Sequence, residues 1–308
     1  MRLPDPTDPT DPTDHTPMKL LEEDFIRKLD MLSMVSRKVV VGRIKGEQRS
    51  RRRGVSSEFA EHRDYSPGDD TRFIDWNIYG RLDRLFLKLF FEEEDLQVSI
   101  LIDASRSMTY GQPSKFDYAR RLAAALGYIA AAGGDRVCIS AFSSDGTSAL
   151  DPFRGKRQVW RMFDFLENLQ PGGATCLGAA CKAFALRHRR RGFTIVISDF
   201  LDENGYEEAL RCFIARNQDV FALHVLSREE LEPQLAGDLK LLDCETADAA
   251  EVSVHAALLK SYRATVNAFC RGLNDYCGKR GLGYLFAATD TPFEQFVLNY
   301  LRRAGLVR

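Results

Sequence analysis

Short apolar runs alternate with amphipathic segments from residue 97 onward. Continuous apolar strands are typical of a parallel sheet that is buried on both faces, because helices in its crossover connections cover it. The predicted strands cover residues 98–102, 136–142, 193–198, 219–226 and 283–287. The predicted helices cover residues 115–132, 157–169, 177–189, 206–216, 256–280 and 292–303. The sequence therefore predicts an α/β fold with a doubly wound, mainly parallel sheet.

Polar side chains follow two of these predicted strands. The motif Asp103-Ala104-Ser105-Arg106-Ser107 comes directly after the first strand, and Asp199 follows the strand at 193–198. A glycine loop, Gly172-Gly173-Ala174-Thr175, leads into a predicted helix. Because ligands of open α/β sheets bind at the carboxyl ends of the strands, we expect these side chains to meet there. The predicted metal-site residues are Asp103, Ser105, Ser107, Thr175 and Asp199.

Carboxylate and hydroxyl oxygens suit a hard divalent cation, so the expected ion is Mg²⁺, with Mn²⁺ or Ca²⁺ as alternatives. The structural alternative is that Asp103 and Ser105 cap the turn after the strand while Thr175 caps a helix.

The chain is predicted to have three parts: residues 1–17, 18–96 and 97–308. The first part contains a tandem Asp-Pro-Thr repeat with nothing apolar to bury, which predicts a disordered tail. An acidic, proline-rich beginning also argues against an export signal. The third part is the main α/β domain.

The middle part combines three kinds of segment. An amphipathic pattern at residues 18–37 predicts a helix that packs on the main body. Residues 37–53 contain eight Lys or Arg and one Glu, which favours either a solvated connector or a contact with phosphate or an acidic protein surface. Residues 54–96 are predicted to form a small β-rich subdomain, with a turn at Ser66-Pro67-Gly68-Asp69 and a strand near 85–91.

Composition limits the classes of protein that fit. The chain has 308 residues, and its 43 Lys+Arg against 44 Asp+Glu give a formal net charge of −1, so no global field favours nucleic acid or an anionic membrane. The longest apolar run, residues 122–134, is too short to span a bilayer.

The seven cysteines include no C-x-x-C pair, which indicates reduced thiols. His224, inside a predicted strand, is interpreted as a packed residue. We expect a soluble, cytoplasmic protein.

The three metal-site segments, in this order, resemble a von Willebrand factor A domain with a metal-ion-dependent adhesion site. The resemblance implies that Ser105, Ser107 and Thr175 ligate Mg²⁺ directly. It also implies that Asp103 and Asp199 act mainly through bound water, and that a carboxylate from a partner completes the metal shell.

The segment ahead of the main domain resembles the signature of domain-of-unknown-function family 58, in which such a segment precedes a von Willebrand-type domain. The residues that carry the resemblance are Arg52-Arg53-Gly54, Glu58-Phe59, Arg63-Asp64-Tyr65, Pro67-Gly68-Asp69-Asp70, Arg72-Phe73-Ile74-Asp75-Trp76 and Arg81. The resemblance implies association with a MoxR-type AAA+ ATPase that matures or remodels proteins.

Within this signature, Asp69, Asp70 and Asp75 are expected to form ion pairs with Arg63, Arg72 and Arg81, and Trp76 is expected to anchor the core of the subdomain.

Three functions are compatible with these patterns. The first is a non-enzymatic, Mg²⁺-dependent protein-binding module that serves an ATPase or its client through a carboxylate. The second is a metal-dependent hydrolase, such as a phosphatase, with Asp103 as the nucleophile; Ser105 stands where D-x-D phosphatases have a second carboxylate. The third is nucleic-acid binding through the basic stretch, which lacks interleaved aromatic residues. The sequence favours the first.

Overall fold

The computed structural model describes residues 20–36, 59–67, 69–90, 97–188, 192–216, 218–245 and 249–300. The chain divides into two compact units, Val41–Leu96 and the remainder, Met1–Val40 with Gln97–Arg308. Helix α1 (Glu23–Ser36) belongs to the larger unit, so the region predicted as residues 18–96 is shared between the two units. The predicted tail at 1–17 and the basic stretch at 37–53 lie outside the described residues.

The smaller unit combines two strands with a helix that the sequence did not predict. Strand β1 (Phe59–Asp64) pairs antiparallel with β2 (Phe86–Phe90), and helix α2 (Trp76–Leu82) lies between them in the chain. The predicted turn is present, since the Asp69 backbone N–H donates to the Ser66 carbonyl at 3.0 Å. Trp76 is 62% exposed, so its predicted role as a core anchor is wrong.

Two of the three predicted ion pairs in the smaller unit are confirmed. Arg63 contacts Asp69 at 2.6 Å, and Arg72 contacts Asp70 at 2.7 Å. The third pairing is wrong, because the partners of the Asp75 carboxylate are His62 at 3.0 Å and Lys88 at 3.5 Å instead of Arg81. Both partners lie on the β1–β2 pair, which faces the start of helix α2.

The larger unit is built on a six-stranded sheet. The six strands of this sheet are β3 (Gln97–Asp103), β4 (Arg136–Ser143), β5 (Gly146–Arg154), β6 (Gly192–Ser198), β7 (Asp219–Leu226) and β10 (Gly283–Ala288). Strands β8 (Gly237–Leu242) and β9 (Ala249–Val254) form a separate hairpin. The strand order in the sheet is β10-β7-β6-β3-β4-β5, and every pairing is parallel except that of β5.

The predicted α/β class and the five strands predicted for the main sheet are therefore confirmed, and the strand predicted near 85–91 is β2. The sequence missed β5 and the β8–β9 hairpin. These three strands are mostly exposed on both faces, so they lack the continuous apolar pattern that marks the buried strands.

Helices connect and cover the strands. They are α3 (Lys115–Ala132), α4 (Val159–Asn168), α5 (Leu177–Arg187), α6 (Glu207–Ile214), α7 (Arg228–Leu231), α8 (Ala256–Lys279) and α9 (Phe293–Gln295), which continues as a π-helix through Tyr300. The Ser114 hydroxyl accepts the Asp117 N–H at 3.0 Å, which fixes the start of α3 where the sequence predicts it. The helix predicted at 292–303 is confirmed only as far as the structure describes it.

Helix α1 packs on the rest of the larger unit, as predicted. Phe25 and Leu29 are buried, and the Phe25 ring contacts the Phe293 ring edge to face, with the ring centroids 5.3 Å apart.

His224 is buried and its Nδ1 lies 3.0 Å from the Tyr284 hydroxyl, which confirms it as a packed strand residue. All seven cysteines are free thiols. Among the described helices, none is long and apolar enough to cross a membrane.

Candidate metal centre

The carboxyl ends of the neighbouring strands β3 and β6 bring two aspartates to one edge of the sheet. Asp103 is the last residue of β3, and Asp199 follows the last residue of β6. The Asp103 Oδ2 accepts the Ser198 hydroxyl at 2.6 Å, and its Oδ1 accepts the Ser105 N–H at 3.0 Å. Both aspartates are fully buried. The topology thus places the two predicted carboxylates side by side.

Three predicted hydroxyls converge beside Asp103. The Ser105 and Ser107 Oγ atoms are 3.0 Å apart, and Ser107 Oγ is 3.4 Å from Thr175 Oγ1. Mg²⁺–oxygen bonds of about 2.0–2.1 Å at right angles put neighbouring ligand oxygens about 3 Å apart. The Ser105–Ser107 separation has this value, and the Ser107–Thr175 separation is a few tenths of an ångström longer.

Backbone hydrogen bonds hold the glycine loop in place beside this motif. The Gly172 N–H donates to the Ala104 carbonyl at 2.8 Å, and the Arg106 N–H donates to the Gly173 carbonyl at 2.9 Å. Gly173 has a φ of +71°, and a Cβ there would lie 2.6 Å from the Ser144 hydroxyl. Glycine is therefore required at this position, which in turn fixes Thr175 next to Ser107.

The turn after β6 also has an unusual backbone. Phe200 is a non-glycine residue with a φ of +57°, and its side chain is fully buried. The Ser198 hydroxyl accepts the Phe200 N–H at 2.9 Å, and Asp199 Oδ1 accepts the Leu201 N–H at 3.1 Å. Burial and these hydrogen bonds maintain a conformation that costs energy, and strained turns of this kind cluster at functional sites.

A buried lysine, which the sequence did not identify, pairs with Asp199. The Lys115 ammonium is 1% exposed and donates to Asp199 Oδ2 at 2.6 Å and to Glu230 Oε1 at 2.5 Å. Burial alone would lower the pKa of Lys115, but attraction to these two carboxylates outweighs it and raises the pKa. Asp199 is therefore charge-compensated by the chain itself. A lysine just after a helix N-cap gives no sign in sequence that it will be buried.

Asp103 differs from Asp199 because it has no cationic partner among the described side chains. Burial, and then repulsion from the Asp199 carboxylate, raises the pKa of Asp103 to about 6. A buried anion of this kind is stabilised by a cation placed within a few ångströms. Asp103 and the three hydroxyls together thus form a donor set that fits Mg²⁺.

A second residue that the sequence did not identify is Glu245, between β8 and β9. Its Oε1 accepts the Thr175 hydroxyl at 2.9 Å, and its Oε2 accepts the Thr175 N–H at 2.9 Å. The Ser107 N–H makes a longer contact with Oε1 at 3.4 Å. No motif surrounds Glu245, so only the folded chain shows that it lies at this site.

The capping alternative is right for one residue and wrong for another. Asp103 does cap the turn through the Ser105 N–H. Thr175 does not cap a helix with its hydroxyl; the first N–H of α5 goes to the Asp202 carboxylate at 2.8 Å. In the described part of the chain, no three His, Cys, Asp or Glu side chains form a metal-binding group, so the hydroxyls are essential to any metal site here.

Comparison with known families identifies the chain. The family described as "Protein of unknown function DUF58" matches residues 61–269, and the chain belongs to this family. The uncharacterized protein Rv1480 of Mycobacterium tuberculosis is 31% identical over 212 residues, which are 67% of this chain. The chain spans 66% of the length of that relative. A shorter uncharacterized protein of Mycobacterium avium, MAV169, is 35% identical over 131 residues, 42% of this chain and 77% of its own.

Solved structures with a similar fold have low sequence identity. BatB from Bacteroides thetaiotaomicron covers 68% of this chain and 99% of its own, at 18% identity and a TM-score of 0.43. The SpRpn10 VWA domain covers 67% of this chain and 95% of its own, at 13% identity and a TM-score of 0.38. The α/β assignment itself comes from the strand order of the central sheet.

Proposed function

We propose that this chain is a non-enzymatic, Mg²⁺-dependent protein-binding module that captures a carboxylate of a partner protein. The observation that supports it most is the convergence of the Ser105, Ser107 and Thr175 hydroxyls beside the buried Asp103. Mg²⁺, when bound, would supply an electrophilic position open to an outside carboxylate. The three hydroxyls are neutral, so they would leave that electrophilicity largely intact.

The same geometry disfavours the alternative of a hydrolase with Asp103 as nucleophile. A nucleophilic carboxylate must approach the reacting atom to about 3–3.5 Å. Asp103 is fully buried, and each of its oxygens accepts a hydrogen bond. We therefore expect purified protein to lack phosphatase, nuclease and ATPase activity; Mg²⁺-dependent turnover that Asp103→Ala abolishes would contradict this.

The proposed partner is a MoxR-type AAA+ ATPase, a client of that ATPase, or both. This part of the proposal depends on the family resemblance. The direct test is a pull-down from the native host in Mg²⁺ and in EDTA, with Ser105→Ala as the site variant and Ser148→Ala, on the exposed strand β5, as the control. We expect recovery of an AAA+ protein in Mg²⁺ with wild type and the control. Recovery that ignores both EDTA and Ser105→Ala would show that the site is not the contact.

Binding kinetics separate the metal site from the basic stretch, whose Arg51, Arg52 and Arg53 lie outside the described residues. Exposed charges are screened within about 8 Å at physiological ionic strength, whereas metal coordination is short-range. We expect Ser105→Ala to speed dissociation and remove Mg²⁺ dependence. Neutralising the three arginines should slow association and flatten its salt dependence. An arginine variant with unaltered association would show that this stretch does not steer the partner.

A further inference from the structure

A carboxylate of the chain itself, that of Glu245, contacts two residues of the candidate metal centre, Thr175 and Ser107. We propose that Glu245 is an internal ligand that occupies the position a partner's carboxylate would take, so that the partner must displace it. This inference depends on the proposed function and adds a means of regulation to it. It identifies the ligand class as an acidic side chain or chain terminus.

The donors around Glu245 form a cradle for a carboxylate. The Thr175 N–H and hydroxyl each donate to one of its oxygens at 2.9 Å, and the Ser107 N–H approaches Oε1 at 3.4 Å. Two backbone N–H groups and a hydroxyl are typical of sites that bind an anion. These donors belong to two of the predicted metal ligands. An outside carboxylate that reached the metal would therefore compete with Glu245 for the same donors.

The segment that carries Glu245 can leave without disturbing the main sheet. Strands β8 and β9 form a separate two-stranded sheet, and most of their residues are exposed. A further contact between this end of the hairpin and the metal-site motif is long, with Arg106 Nη1 at 3.4 Å from the Cys244 carbonyl. Displacement of Glu245 thus needs no break in the hydrogen bonds between strands of the main sheet.

Removal of Glu245 should change the affinity of the site for a simple carboxylate by a measurable factor. If Glu245 holds the site in about nine molecules of ten, its removal raises the apparent affinity for an outside carboxylate about tenfold. The probes are Mn²⁺, followed by electron paramagnetic resonance, and acetate, followed by the broadening of its methyl proton signal by protein-bound Mn²⁺. The variants are Glu245→Gln and Glu245→Ala, with Glu251→Gln, exposed on β9 of the same hairpin, as the matched control. Circular dichroism checks that each is folded.

We expect both Glu245 variants to keep Mn²⁺ and to bind acetate about tenfold more tightly than wild type, while Glu251→Gln behaves as wild type. Unchanged acetate binding in both variants would overturn the inference and leave the metal site standing. Loss of Mn²⁺ from both variants would also overturn it, because Glu245 would then be a permanent metal ligand. If wild type binds no Mn²⁺, or Ser105→Ala binds it equally well, the proposed function fails and this inference fails with it.

Discussion

Two groups of aspartates in this chain differ in how their charges are matched. In the smaller unit, Asp69, Asp70 and Asp75 each have a cationic partner, and each also accepts a backbone N–H. At the carboxyl edge of the main sheet, Asp103 and Asp199 are fully buried, and among the described side chains only Asp199 of the two contacts a cation.

This difference separates a structural role from a binding role. A carboxylate that already has a cationic partner and a backbone N–H donor stabilises a turn or a helix start and needs no further ion. A buried carboxylate without a cation, beside three convergent hydroxyls, has the environment that a divalent ion would complete. The family signature of the smaller unit is a specific sequence pattern, but its aspartates have structural roles. The D-x-S-x-S motif is a less specific pattern, but it lies at the candidate site.

The largest expected effect comes from removing Lys115, which contacts Asp199. Lys115→Met leaves a buried carboxylate without its counterion, and breaking such a pair costs about 3–5 kcal/mol of unfolding free energy. Urea denaturation in EDTA measures it. The control is Lys28→Met, which breaks the exposed pair with Glu294 and should cost far less. Equal losses in the two variants would mean that the carboxyl edge is no more dependent on charge than the surface.

The next effect is stabilisation by the metal. A ligand present at 100 times its Kd stabilises the folded state by about 2.7 kcal/mol. We expect Mg²⁺ at 100 times its Kd to raise the unfolding free energy of wild type by about 2.7 kcal/mol. The double variant Ser105→Ala, Ser107→Ala should show no such increase. Asp75→Asn, in the smaller unit, should retain it. A Mg²⁺ increase that depends on Asp75 would reverse the assignment of the two groups.

A smaller, local effect is expected in the smaller unit. The Asp75 Oδ1 accepts the Asn77 N–H at 2.9 Å and the Ile78 N–H at 3.2 Å, so it caps helix α2. Asp75→Ala removes this cap and the contacts with His62 and Lys88, and we expect faster hydrogen exchange of the α2 amides. Exchange in β3 and β6 should not change. Uniformly faster exchange across the chain would indicate general unfolding instead of loss of a cap.

The smallest expected effect is on acid stability. Burial alone would raise the pKa of Asp75, but hydrogen bonds from His62 and from the start of α2 outweigh it and lower the pKa. Because the folded-state pKa is below the unfolded one, the contribution of Asp75 is present above the ordinary carboxyl pKa and is lost as the pH falls through the folded value. An NMR titration of its carboxyl carbon should therefore have a midpoint below 3.8. A midpoint above that value would mean that these hydrogen bonds do not hold the anion.

The main sheet could be predicted from sequence because burial on both faces leaves a continuous apolar pattern. The start of helix α3 at Ser114 was equally clear, since an N-cap is a local signal. Strand β5 and the β8–β9 hairpin were not predictable in this way, because edge and surface strands need not be apolar. Helix α2 is seven residues long and is fixed by the Asp75 cap, so it has too few turns for a periodic pattern.

The candidate site was predictable as far as its residues follow strands. The Asp103, Ser105 and Ser107 positions follow from β3, and Asp199 follows from β6. Lys115 and Glu245 were missed because their roles depend on contacts across 84 and 70 positions of the chain, with Asp199 and Thr175 respectively. Local sequence carries no information on such contacts.

Anomalous diffraction from crystals soaked in Mn²⁺ is the most direct test of the metal site. We predict one peak about 2.2 Å from the Ser105, Ser107 and Thr175 hydroxyl oxygens, since Mn²⁺ takes the same hard oxygen ligands as Mg²⁺ at slightly longer distances. The peak should be absent from a Ser105→Ala, Ser107→Ala double variant. A wild-type crystal with no peak at the carboxyl edge, or a peak that survives in the double variant, would contradict the account.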